Sequence, residues 1–229
     1  LLRNTYRTDE VQPWGPGWTH VLGWDLGAID DMAIVIWGWH EDDPTLYEVF
    51  SWKKSGARSN EVLAVIEQQE KEKRLNLVKK VADTQGGGKM YVDEVMSRTQ
   101  HLFTPAQKSN KYDHVRLMND DLLTGRVKVR MGSPLQEELI GLMRDPDYDP
   151  RHPDYKDKLP TEDPSCPNHC ADAGLYSYRE AWHFMPRAVA PKQATVYEAD
   201  EYEEQAIKAF KKRSDTSWFE RTEPQGDDW

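Results

Sequence analysis

The chain has 229 residues, only two of them cysteines, and 30 Lys and Arg against 40 Asp and Glu, a formal net charge of -10. A compact fold of this size exposes about 10,700 Å² against roughly 39,000 Å² for the unfolded chain, so a full core forms without metal or disulfide staples. The composition excludes a disulfide scaffold, a membrane span of about 18 apolar residues and a protein that coats DNA with its whole surface, though not one with a local basic patch.

Residues 1–18 are polar and then rich in Pro, Gly and Trp (Pro13-Trp14-Gly15-Pro16-Gly17-Trp18). They read as an interdomain linker or an arm lying on the domain. No basic-then-apolar start marks a signal peptide, and the opening Leu1-Leu2-Arg3 is expected to belong to a fragment of something larger or a processed product. Strands are expected over 20–26, 32–39 and 46–53, joined by the turn residues Asp30-Asp31 and Glu41-Asp42-Asp43-Pro44. Three strands with short turns read as an antiparallel meander. The period then changes to helical over 59–73, with Val62, Leu63 and Ile66 on one face and Ser59 as N-cap, with Val62 rather than Glu at the third position. A strand over 75–82 ends at Asp83, so strand, helix, strand implies a mixed sheet with a right-handed crossover. After Gly86-Gly87-Gly88, helices are expected over 90–100 and from Asn110 or Tyr112 to Leu123, a strand over 126–131, and a helix opening at Ser133-Pro134. The polar, Pro-rich stretch 145–167 reads as a long loop, and 170–184 as a helix. Residues 19–194 form the main domain. From 195 onward, a charged helix and a tail carry ten Asp or Glu against five Lys or Arg.

Three aspartates stand out by position. Asp25 lies inside an apolar strand, Asp83 ends a strand before a glycine run, and Asp172 sits in the first turn of a helix. A carboxylate inside a buried strand is costly unless it is paired or binds metal. The helix dipole favours Asp172 where it stands. Taken singly, each has an ordinary explanation: a turn-facing acid, a strand-end cap, a helix-start acid. If the three converge at one end of the sheet, such a cluster needs a cation to stay fully ionised, and hard divalent ions with oxygen ligands suit phosphodiester hydrolysis.

Three stretches carry a resemblance: Gly23-Trp24-Asp25-Leu26-Gly27, Val81-Ala82-Asp83-Thr84-Gln85-Gly86-Gly87-Gly88-Lys89, and His169-Cys170-Ala171-Asp172-Ala173-Gly174-Leu175-Tyr176. In this order and spacing they resemble the C-terminal nuclease domain of the large terminase subunit of tailed double-stranded DNA phages. Lys108-Ser109-Asn110-Lys111-Tyr112 and Gly125-Arg126-Val127-Lys128-Val129 also resemble segments of that family, and the likeness runs over about residues 20–185. The resemblance implies an α/β, ribonuclease-H-like mixed sheet, an antiparallel three-strand meander followed by parallel strands, flanked by helices. It implies a metal-dependent endonuclease that cuts concatemeric viral DNA during genome packaging, using Mg²⁺ or Mn²⁺ with two ions per site. The family acids fall on Asp25, Asp83 and Asp172, with Asp25 bridging both ions. Some family members add an acid after the third; Ala173, Gly174 and Leu175 stand there in this chain, leaving Asp31 as the auxiliary candidate. The implied partners are double-stranded DNA, an ATPase domain of the same full-length chain, the portal and the small terminase. The implied setting is the host cytoplasm, with transient procapsid association and no membrane. No Walker A motif occurs, because Gly88-Lys89 is not followed by Ser or Thr.

Positive charge for DNA is sought between residues 108 and 130, which hold six Lys or Arg against three Asp. Lys108, Lys111, Arg126, Lys128 and Arg130 are candidates, the last three alternating on one strand face as a phosphate track or a charged edge. Lys89, near Asp83, is another. Asp30 and Asp93 read as structural. Cys166, His169 and Cys170, with His152, resemble half a zinc site, and packing at the helix entrance is the favoured reading. Most tryptophans read as core. Within the same fold group a junction resolvase or an RNA–DNA hybrid nuclease stays open, as does a non-catalytic DNA or portal docking module.

Overall fold

The computed structural model describes residues 4–27, 31–85, 88–142, 162, 163 and 165–185. These lie in one compact unit, Leu1–Arg187. The charged helix and tail expected beyond 195, most of the 145–167 loop, His152, Asp30, Gly86 and Gly87 lie outside the described residues.

Three long strands form the meander: β2 (Trp18–Leu26), β3 (Asp31–His40) and β4 (Asp43–Ser55). Their apolar runs are buried on both faces, which explains why they read as nearly continuous rather than alternating. With β1 (Thr5–Tyr6), β5 (Leu77–Ala82), β6 (Thr104–Pro105) and β7 (Val127–Arg130), they build a seven-stranded sheet of order β1-β7-β4-β3-β2-β5-β6. β2, β3 and β4 pair antiparallel; β5 joins β2, β6 joins β5, β7 joins β4 and β1 joins β7, all parallel. This is the mixed, ribonuclease-H-like sheet.

Among the described residues, five helices cover the sheet: α1 (Ser59–Lys73), α2 (Gly88–Arg98), α3 (Lys111–Thr124), α4 (Pro134–Gly141) and α5 (His169–Phe184). Strand alternation sorts the core into two layers. Leu22, Trp24, Ile34 and Ile36 meet Val62 and Ile66 of α1 and Val92 and Val95 of α2. On the other face, Val21, Ala33, Val35 and Trp37 meet Leu135 of α4 and Ala173, Tyr178 and Ala181 of α5. The tryptophans at 24, 37 and 39 are core residues, as expected, and Trp37 anchors α5 by donating Nε1–H to the Gly174 carbonyl at 2.9 Å.

One local expectation needs correction. The N-cap of α1 is Arg58, still extended, and not Ser59. Glu61 then occupies the third helical position and accepts from the Arg58 backbone N–H at 2.9 Å. Ser59 turns its hydroxyl to Glu94 on α2 instead. The stretch 1–18 contains a strand, β1, whose Tyr6 is buried and donates to the Glu48 carbonyl. The helix does open at Ser133-Pro134, and Ser133 caps it, accepting from Gln136 N–H at 3.1 Å.

Candidate active site

Strand register positions the first two acids. β5 runs parallel to β2 with Val81 opposite Gly23 and Ala82 opposite Trp24. The next rung is a hydrogen bond from Asp83 N–H to the Trp24 carbonyl at 2.9 Å. Asp25 and Asp83 therefore emerge on adjacent strands, at their carboxyl ends, where open α/β sheets hold their ligands. β6 continues this edge, with Ala106 N–H on the Ala82 carbonyl at 2.7 Å, and delivers Lys108 to the same end.

The third acid comes from α5, which crosses β2 and β3 very closely. A Cβ on Gly23 would lie 2.0 Å from the Ala173 carbonyl oxygen, so only glycine admits this approach. Val21, Gly23 and Asp25 share this face by alternation, and the first turn of α5 brings His169 and Asp172 to it. His169 Nδ1 lies 2.9 Å from Asp25 Oδ2. Lys111 Nζ lies 2.6 Å from Asp172 Oδ1 and 3.1 Å from Glu162 Oε2. Lys108 Nζ is 2.5 Å from Asp83 Oδ2 and 5.7 Å from the centre of the Tyr176 ring. Asp83 Oδ1 accepts from Gln85 N–H at 2.9 Å.

The electrostatics tie these groups together. Burial raises the Asp172 carboxyl to about 6; Lys111 opposes the shift, and Glu162 and Asp25 add to it. Tyr176, one turn on, is held far above the ordinary phenol range by burial and then by the charges of Asp172, Asp25, Asp83 and Glu162. The hydrogen bond to Asp25 raises His169 above the ordinary imidazole value against the opposing effect of burial; the charges of Asp25, Glu138 and Asp31 add to the rise. Asp31 opens β3, opposite Ser55 of β4. Glu138, buried on α4, accepts from Ala171 N–H at 3.0 Å and from Lys53 at 3.0 Å, fixing the entrance of α5.

Among the described residues, no three His, Cys, Asp or Glu side chains are drawn together tightly enough to hold one ion. Each of the three aspartates is engaged by a cationic or imidazole group: Asp25 by His169, Asp83 by Lys108 and Asp172 by Lys111. The donor chemistry still fits a hard divalent cation, since the converging atoms are carboxylate oxygens.

The basic candidates divide. Lys108 and Lys111 join the acids. Lys89, on the first turn of α2, pairs with Asp93 at 2.5 Å on the helix surface. The glycine before it, Gly88, would place a Cβ 2.6 Å from the Asp83 carbonyl, so here a glycine does permit close approach to Asp83. The β7 residues are not brought to the acids. Lys128 is level with Tyr47, Gly38 and His20 across the sheet. That is five residues and three strands from Asp25, about 17 Å along and about 14 Å across. Arg126 does not continue a track with Lys128: it precedes the strand and donates to Asp121 Oδ1 at 3.1 Å. Asp121 is buried and also takes the Tyr178 hydroxyl at 2.6 Å, so the guanidinium neutralises an interior acid. Lys128 lies over the Tyr47 ring, 5.7 Å from its centre. Cys170 packs as a buried thiol, and His169 is turned to Asp25.

Sequence reading missed Glu162, Tyr176 and the pairing of His169 with Asp25. His169 and Tyr176 flank Asp172 at three and four residues, a one-face helical spacing that was available as a signal. Glu162 falls in an aperiodic loop and had none.

Solved structures similar to this chain include the large terminase of a thermophilic bacteriophage, at TM-score 0.60 and 12% identity over 76% of this chain and 41% of that one. This chain thus spans about two fifths of that protein. The nuclease domain of the P22 large terminase matches at 0.58 and 17% identity, over 79% and 92% of the two chains. The nuclease domain of the large terminase of bacteriophage SPP1, solved with bound Mn, matches at 0.50 and 18% identity, over 71% and 86%. No family model and no curated protein matches the sequence. The fold is shared with large-terminase nuclease domains of several phages.

Proposed function

We propose that this chain is a metal-dependent endonuclease domain that cleaves concatemeric double-stranded viral DNA during genome packaging. The observation that supports it most directly is that the β2–β5 register brings Asp25 and Asp83 to the carboxyl ends of adjacent strands, where the first turn of α5 sets His169 against Asp25 and carries Asp172. The likeness of fold to terminase nuclease domains supports the same reading. Asp25, Asp83 and Asp172 would hold Mg²⁺ or Mn²⁺, two ions per site, with Asp31 as an auxiliary acid. When bound, such ions lower the pKa of an attacking water and neutralise charge on the phosphate and the leaving 3′ oxygen. The chain's own residues align this chemistry. The β2–β5 register fixes the separation of Asp25 and Asp83, and His169 orients the Asp25 carboxylate. Lys108 and Lys111 offer positive charge to the DNA backbone beside the acids, with Lys89, Lys128 and Arg130 as outlying phosphate contacts.

In this reading the full-length protein carries an ATPase domain and works with portal and small terminase in the host cytoplasm, at the procapsid. The test is cleavage of supercoiled plasmid with Mn²⁺, with Mg²⁺ and with EDTA, beside Asp25→Asn and Asp172→Asn. Cleavage that needs metal and vanishes in both variants is expected. Cleavage that survives EDTA or Asp25→Asn would sink the proposal.

A further inference from the structure

We propose that Lys108 and Lys111 are built-in counterions of the acid cluster, which occupy the cation positions in the metal-free protein and are displaced sideways onto second partners when a divalent cation enters. This rests on the proposed nuclease reading. Both lysines come from one short segment, pinned between the end of β6 and the start of α3, with Asn110 in the left-handed region at φ 55°. Each is only partly exposed, and each holds one of the acids on which the site depends: Lys108 on Asp83, Lys111 on Asp172. The Coulombic repulsion of a crowded acid cluster is thereby relieved without metal.

A second resting place is already in contact with each ammonium group. Lys111 Nζ touches Glu162 at 3.1 Å as well as Asp172 at 2.6 Å. Glu162 is itself fixed by Asn168 Nδ2 at 2.8 Å, at the N-cap of α5. Lys111 can thus leave Asp172 without losing a carboxylate partner. Lys108 already lies over the face of Tyr176, a position that favours a cation once Asp83 is otherwise engaged. Short lateral moves therefore free two aspartates and leave two ammonium groups at the rim, where they meet phosphate. Cation and nucleic acid then bind with positive coupling, because each favours the same displaced arrangement of the lysines.

The displacement predicts opposite signs for neighbouring substitutions. The readout is Mn²⁺ titration by calorimetry of the whole chain without DNA, each variant first checked for folding by thermal unfolding. Lys108→Met and Lys111→Met should each tighten Mn²⁺ binding, on the order of fivefold. Glu162→Gln should weaken it in the otherwise unchanged chain, because Lys111 then has nowhere to go, and should have no effect in the Lys111→Met background. Lys111→Arg, which keeps the charge, should bind no tighter than the parent; Lys111→Gln carries the same test as Lys111→Met if the latter does not fold. Unchanged or weaker Mn²⁺ binding in the charge-removing lysine variants would overturn the inference. So would an equal loss from Glu162→Gln in both backgrounds, which would make Glu162 a direct ligand. Either result, with binding still abolished by Asp25→Asn, leaves the nuclease reading standing. No Mn²⁺ binding by any folded variant, the parent included, sinks both.

Discussion

Asp172→Asn should stabilise the metal-free protein at neutral pH and, on the proposed function, abolish cleavage. The folded protein holds this carboxyl at about 6 against an ordinary 3.8, chiefly because it is buried beside other acids. The folded state therefore binds the proton more tightly than the unfolded chain. Stability from this group is fully present below pH 3.8 and is lost as pH rises through 6. The interval corresponds to at most about 3 kcal/mol. The side chain is only 17% exposed, so solvent screening removes little of that. The Asn side chain has no charge to bury, and Lys111 keeps its contact with Glu162. The difference in unfolding free energy between variant and parent should thus widen by up to about 3 kcal/mol between pH 4 and pH 7. For a domain of this size that is roughly 6–12 °C in Tm. The assay is thermal unfolding in EDTA at half-unit steps of pH. A difference that is independent of pH, or a variant that loses stability as pH rises from 4 to 7, would refute the reasoning.

Gly23→Ala should be among the most damaging single-methyl changes in the chain. The added Cβ meets the Ala173 carbonyl at 2.0 Å and Ser177 Oγ at 2.8 Å, so α5 must lift from β2. A loss of about 3 kcal/mol or more is expected, seen as a lower Tm together with weaker Mn²⁺ binding as Asp172 moves away; an unchanged Tm would contradict the close crossing. Arg126→Ala strips the buried Asp121 of its guanidinium. It should cost about 1–3 kcal/mol of stability, while duplex affinity and its salt slope, measured on folded protein with Ca²⁺, stay at parent values. A loss of slope by about one would instead put Arg126 in the DNA footprint.

Much of the fold was legible because its central strands obey local rules. The runs 20–26, 32–39 and 46–53 are apolar, lie between turn residues, and became β2, β3 and β4 with modest extensions at their ends. Helical spacing of Val62 and Ile66, and the Ser133-Pro134 start, placed α1 and α4. What stayed hidden depends on pairing across the sheet. β6 is only Thr104–Pro105 and has no periodic signal of its own; it exists because the β5 edge offers the Ala82 carbonyl. Alternation along 126–130 reads as a phosphate track on one strand, but nothing local says that β7 joins β4 at the end remote from Asp25. In the acid cluster, three members could be read from their unusual positions. Glu162 could not, since an acid in a polar loop is unremarkable until Lys111 is seen to reach it.

The same geometry that assembles the site also sets what it costs. Parallel pairing of β2 and β5 forces Asp25 and Asp83 to one sheet end, and the glycine crossing at Gly23 lowers the start of α5 onto them. Once these backbone constraints are satisfied, the acids cannot separate to reduce their repulsion. The chain must then supply positive charge, and among the described residues it does so from Lys108, Lys111 and His169. Two of these are lysines on a short segment rather than arginines in the core. A lysine is a compact point charge on a flexible stem, whereas a bidentate guanidinium would lock the carboxylate in place. Asp121, which lies outside the site, shows the contrasting solution: a buried acid held by Arg126 and Tyr178. The chain thus uses a fixed partner where charge is to be silenced and mobile partners where it is to be exchanged, which is why Lys111→Arg and Lys111→Met are the informative pair of substitutions.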